Sequence, residues 1–309
     1  MKPNHPVRLQ TIPPIETRPA SRIRRCGARR RAGTKRAHIG RLALALATAL
    51  PAALPAAAVE LPLWELGIGA AGLRLPHYRG SEQNHAWLLP LPYVVYRGKI
   101  FKADREGARA VLYESDRFDF DLSLGAGVPT RSDDNDARRG MDDLAPIFEF
   151  GPNLNWTLAR GAGWKLDLRV PVRAALTLES NARVIGWVST PNLNLDIARL
   201  RGWNFGLQAG PVFGSRDYHG YFYDVETNEA TAGRPAYRAP GGFAGAQATA
   251  AMSRRFGRSW AGLFVRYDNL SGANFAPSPL VRRENHFSFG IAYAWVLGTS
   301  SRTVTVQDE

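Results

Sequence analysis

Cysteine is almost missing from this 309-residue chain, and the one copy, Cys26, lies in a basic N-terminal stretch. A disulfide framework and a paired-cysteine metal or redox motif are therefore excluded. Also missing is any apolar run of about 20 residues, the length a transmembrane helix needs. No segment after residue 60 repeats its apolar residues at a helical period. Acidic residues are scarce at the start, where residues 1–41 hold twelve Lys/Arg against the single acid Glu16. The rest of the chain has 28 basic and 26 acidic residues, a net of +2, so all but two of the +13 charges belong to the N-terminus. A nucleic-acid role loses most of its support with that asymmetry.

After the basic stretch come the apolar run Leu42–Leu50, Pro51 and the small residues Ala56-Ala57-Ala58. A charged region, a short apolar region and an Ala-x-Ala site predict a cleaved secretory signal peptide. We expect cleavage after Ala58, leaving a mature domain of residues 59–309, cysteine-free and without thiol chemistry. Forty-one residues before the apolar run are long for such a leader. The expected start of translation lies downstream of Met1 at a non-Met codon, which N-terminal sequencing of the precursor would test.

What the mature chain does contain is alternation. From Trp164 to Leu178 every even position is apolar, while the odd positions carry Lys165, Asp167, Arg169, Pro171, Arg173, Ala175 and Thr177. That period of two predicts a β-strand with one oily and one charged face. The pattern recurs through the chain and predicts twelve strands, at about 64–75, 87–96, 100–104, 108–114, 118–128, 146–158, 164–178, 184–197, 203–213, 241–256, 260–269 and 286–297. An internal repeat supports a meander of hairpins. Pro152–Leu168 aligns with Pro191–Leu207 at nine of seventeen positions, each copy reading strand, turn, Trp-led strand. Connections alternate between tight turns and a set dominated by the long loops 76–86, 129–145, 214–240 and 270–285. That asymmetry is the mark of an outer-membrane barrel. The fold expected is all-β, a transmembrane up-and-down antiparallel barrel of about twelve strands, with 298–309 as a tail beyond the last strand.

A soluble sandwich would turn the oily face inward; a membrane barrel turns it to lipid. Export without disulfides, and tryptophans near strand ends (Trp64, Trp87, Trp164, Trp203, Trp260, Trp295) as an interfacial girdle, favour the barrel. Its register is then fixed energetically. A one-residue slip in strand 164–178 would push Lys165, Arg169 and Arg173 toward lipid, at roughly 2–4 kcal/mol each near the midplane. The expected lumen-lining residues are Asp119, Asp121, Glu149, Lys165, Asp167, Arg169 and Arg173. They either set solute selectivity or pair across the interior and close it.

The loop motifs carry a resemblance. They are Tyr78-Arg79-Gly80-Ser81, Pro90-Leu91-Pro92-Tyr93 with Tyr96-Arg97-Gly98, Asp104-Arg105-Glu106-Gly107, and Gly140-Met141-Asp142-Asp143-Leu144 before Glu149-Phe150-Gly151-Pro152. They continue with Gly233-Arg234-Pro235-Ala236-Tyr237, Arg266-Tyr267-Asp268-Asn269-Leu270-Ser271-Gly272-Ala273 and Ser278-Pro279-Leu280-Val281. Through them the chain resembles the MipA/OmpV family of outer-membrane proteins. The resemblance implies a scaffold that links a lytic transglycosylase to a murein synthase of the penicillin-binding class in cell-wall remodelling. It supplies no catalytic residue and no cofactor. The tail Gly298–Glu309 departs from a barrel that ends on an aromatic strand such as Tyr293-Ala294-Trp295.

Three constellations remain. His286 and Ser288 share a strand face, but residues two apart on a strand are nearly 7 Å distant at Cα, too far for a relaxed nucleophile–base contact; we expect no enzyme. The acidic loop with Asp133, Asp134, Asp136, Asp142 and Asp143 lacks a calcium-loop pattern and interleaves Arg131, Arg138 and Arg139, so local ion pairing is expected over a metal. The loop from Ser215 to Pro240 gathers Tyr218, His219, Tyr221, Phe222, Tyr223 and Tyr237, either as a recognition surface or packed on the barrel mouth. The expected function is an outer-membrane scaffold in contact with lipid. The alternatives are a small-solute diffusion channel and a surface adhesin acting through the long loops.

Overall fold

Residues 59–104 and 107–306 are described by the structure, a computed structural model. The leader, Cys26 and the cleavage site at Ala58 lie outside the described residues. The strands are β1 (Val59–Pro62), β2 (Trp64–Pro76), β3 (Asn84–Arg97), β4 (Phe101–Asp104), β5 (Gly107–Glu114), β6 (Phe118–Gly127), β7 (Ile147–Gly161) and β8 (Trp164–Thr177). They continue as β9 (Val184–Ser189), β10 (Asn192–Leu200), β11 (Trp203–Gly214), β12 (Gly242–Phe256), β13 (Ser259–Asn269), β14 (Asn285–Thr299) and β15 (Thr303–Val306). Helix α1 (Arg216–Tyr223) sits in the connection between β11 and β12.

Every pairing is antiparallel, chain neighbours pair around most of the wall, and β14 closes onto β2. Strands β9 and β10 share one position in the wall, because both pair with β8 and with β11. The result is a closed barrel of twelve antiparallel staves. The sequence predicts one strand over 184–197; it is broken at Thr190–Pro191, where proline has no N–H to give the ladder. The repeated segment forms the two hairpins β7–β8 and β10–β11. In the second, the two-residue turn Arg201-Gly202 has φ of 53° and 82°, the doubly positive geometry that matches strand twist.

Apolar side chains face outward all round the wall. Leu88 is 82% exposed and Ile291 66%, and Phe120, Leu124, Leu154, Val172, Leu207 and Phe289 share that outer surface. A belt of this extent on a closed sheet is stable only against hydrocarbon. Among the described residues no helix is long and apolar enough to span a membrane, so the strands are the spanning elements. The girdle expected from six tryptophans is thinner than the sequence suggests. Trp260 faces the lumen, across from Tyr93 at 5.8 Å between ring centroids, and Trp87 pairs with the inward Leu73. On β3 both faces are apolar (Leu89, Leu91 and Val95 inside; Leu88 and Val94 outside), so alternation cannot assign Trp87 a side.

The tight turns gather at one end of the barrel and the long connections at the other. At the tight-turn end β1 and β15 pair with each other as a separate two-stranded ribbon. The tail therefore returns to the start of the described chain.

Candidate functional site: a lumen with an ionic wall, a sealed mouth and a cavity

The inner faces of β4 to β10 are charged and paired. Lys165 Nζ lies 3.2 Å from Asp167, Arg169 bridges Asp167 (3.5 Å) and Asp196 (3.2 Å), and Thr157 donates to Asp167 at 3.0 Å. Asp121 accepts from Asn153 and Asn155, and Lys102 pairs with Glu114 at 2.9 Å. Asp121 and Asp167 are each 1% exposed. Arg173 lies 3.8 Å from Glu149 and donates to Ser123 at 2.9 Å. Asp119, Asp121, Lys165, Asp167 and Arg169 line a void of only about 110 Å³. The seven residues singled out in the sequence thus lie along one side of the interior, where their ion pairs and the bonds to Asp121 run within a stave or between neighbouring staves. Charge-assisted pairs of this kind are strong only because both partners are shielded.

The long connections fold inward as a cap. Ser215 accepts the Tyr218 N–H and starts α1, with Asp217 in its first turn. The helix lays Tyr223 flat on Phe275, 3.7 Å between centroids and 9° between planes, with His219 edge-on to the same ring. Leu270, Phe275 and Leu280 are fully buried there, with Val225 and Tyr78 beside them. Polar bonds tie the connections to one another. Arg138 donates to Phe222 O, Arg234 to Ala137 O, Ser278 to Tyr223 O, Tyr78 to Leu280 O and Asn135 to Ser81 Oγ. Burial raises the Tyr78 hydroxyl to about 12, so it stays a neutral donor. Tyr221 caps the Ala145 N–H, and Tyr218 reaches Glu149 on the wall. His219 and Tyr223 are buried in the cap and Tyr218, Tyr221 and Tyr237 half-buried, so these rings serve packing. In the acidic loop Asp143 accepts the Ser132 N–H and Asp136 pairs with Arg139.

Beneath the cap lies a layer the sequence did not single out as a unit. Asp268, fully buried, takes Arg79 Nε at 2.8 Å, Arg266 Nε at 3.0 Å and His286 Nε2 at 3.5 Å. Ser288 is also fully buried and lies 3.5 Å from Arg266. His286 thus lies beside the carboxylate without a hydrogen bond to it, while Ser288 turns to an arginine. The signal was present but scattered: Arg79, Arg266 and Asp268 lie in loop motifs 189 positions apart at the extremes.

Toward the tight-turn end the interior is hollow. A cavity of about 840 Å³ runs from Leu73, Phe264 and Gly290 to the rim at Pro62, Arg97, Gly202 and Gly257. It exists because β11–β14 and β2 turn small residues inward: Gly206, Ala251, Gly262, Gly290, Ala292 and Ala71. At its rim Glu65 is held between Arg97, at 3.0 Å, and Arg255.

This geometry defines a membrane-spanning β-barrel with a sealed mouth at its long-loop end. The family model described as MltA-interacting protein MipA matches residues 68–297, and the chain belongs to that family. A search of curated proteins found no match. Among solved structures, the outer membrane phospholipase A of Escherichia coli is similar at 10% identity, over 76% of this chain and 94% of that one, with a TM-score of 0.30. The CymD monoaromatic hydrocarbon channel gives 10% identity over 78% and 68% of the two chains, TM-score 0.25. The Ralstonia pickettii toluene transporter TbuX gives 10% over 78% and 70%, TM-score 0.23. TM-scores this low carry no argument for this chain, whose fold rests on its own strand register.

Proposed function

We propose that this barrel is an outer-membrane scaffold without enzymatic activity, exported by its signal peptide and oriented with its tight-turn end in the periplasm. It docks a lytic transglycosylase there and, through that enzyme, a murein synthase of the penicillin-binding class. The family description names an MltA-interacting protein, which supports the first partner. The observation that carries the reading is the sealed mouth. The layer around the fully buried Asp268 and an apolar cap lie across the path a solute would take. A protein built to conduct has no use for that seal, whereas a membrane-anchored platform needs none of its lumen open. Ser288 turned to Arg266 and buried supports the absence of a serine nucleophile.

The test is retrieval of a lytic transglycosylase from detergent-solubilised envelopes on the tagged barrel. Specific retention over an unrelated twelve-stranded barrel supports the scaffold; repeated absence removes it. The second reading, a narrow diffusion channel, is favoured by the polar lumen wall alone.

A further inference from the structure

We propose that the cavity at the tight-turn end is a binding site for an amphiphilic anion, an apolar body carrying one carboxylate. The inference does not depend on the scaffold reading. Its volume of about 840 Å³ falls in the range of small-molecule pockets, roughly 300–1,000 Å³. Its upper walls are apolar, formed by Leu73, Leu91, Trp260 and Phe264. Of the ionic pairs on the other side of the lumen, Asp196, held by Arg169, also borders this space.

The charge at the rim decides what head group fits. Glu65 is the acceptor for two arginines, Arg97 and Arg255, so the rim presents guanidinium donors to the cavity. Arg255 spends Nε on Gly257 O and Nη1 on Glu65 and the Tyr93 hydroxyl, while Nη2 takes no partner among the described residues. The Tyr93 oxygen accepts from Arg255, and its own proton likewise has no acceptor there. A guanidinium nitrogen and a phenol proton, both lining the cavity, are together the donor pair a carboxylate takes. An ammonium group would meet like charge at the same place. The apolar body then lies over the tryptophan and phenylalanine faces in the space left by Gly206, Gly290 and Ala292.

The barrel in phosphatidylcholine nanodiscs, titrated calorimetrically with 2-naphthoate and with 2-naphthylmethylammonium against empty nanodiscs, tests this. We expect saturable binding of naphthoate, at least about tenfold tighter than the ammonium. Gly206→Phe fills the cavity; a Cβ there meets only Asp196 at an ordinary 3.6 Å, so the backbone has room for it. Arg255→Gln removes the rim charge while keeping a polar side chain. Each should weaken naphthoate by about tenfold or more. No saturable binding, equal binding of the two probes, or wild-type affinity in either folded variant would overturn the proposal.

Discussion

Asp268 is fully buried with Arg79, Arg266 and His286 around it, which makes it the most consequential single carboxylate in the upper lumen. Replacing it with alanine strands the charges of Arg79 and Arg266, each still partly open to solvent, so the expected cost is about 3 kcal/mol, near the low end for a broken buried pair. The temperature at which the compact form converts to the unfolded one on a denaturing gel should fall accordingly; an unchanged conversion would show the layer to be energetically idle. His219 behaves differently, because it is held neutral. Its Nδ1–H donates to Pro240 O at 2.7 Å, and burial lowers its pKa. His77, beside His85, is lowered by burial as well. Between the ordinary histidine value of about 6.5 and the depressed folded value, the unfolded cap binds more protons than the folded one. The stabilisation is therefore complete above about 6.5 and lost as pH falls through the folded value. Amide exchange in the cap should quicken on acidification while the strands stay protected, and equal exchange on both sides of that pH would contradict the assignment.

At the scale of elements, closure of the wall depends on backbone approach at one joint. A Cβ on Gly67 or Gly69 of β2 would fall well inside contact distance of the Trp295 and Tyr293 carbonyls of β14. Gly69→Val should therefore prevent the two strands from pairing, and the protein should fail to give the heat-modifiable compact band of a folded barrel. Most of the wall was legible because a half-buried strand writes its two faces at a period of two, and because turn length alternates with the end of the barrel. Even the four-residue β4 followed from that parity. Illegible elements share a physical cause. Trp260 and Trp87 sit on strands whose inner face is also apolar, since that face borders a cavity and not an ion network. The short helix α1 has too few turns for a period to emerge. The Asp268 layer is assembled from three distant stretches, and only closure of the sheet brings them within hydrogen-bonding distance.

For the molecule as a whole, the sealed mouth makes a definite electrical expectation. The intact protein in a planar bilayer should be silent, and replacing residues 216–238 and 272–282 with short Gly-Ser linkers should produce discrete openings. Openings of the same size in the intact protein would favour the channel reading instead. The ribbon of β1 and β15 has a different kind of consequence. β1 directly precedes the first stave and β15 directly follows the last, so their four paired positions, Val59–Val306 through Pro62–Thr303, tie together the two strands at the joint where the first and last staves meet. Any sideways parting of the wall at that joint, whether by mechanical tension or during insertion, must first undo this knot; the cylinder carries its own fastener where a hoop is weakest.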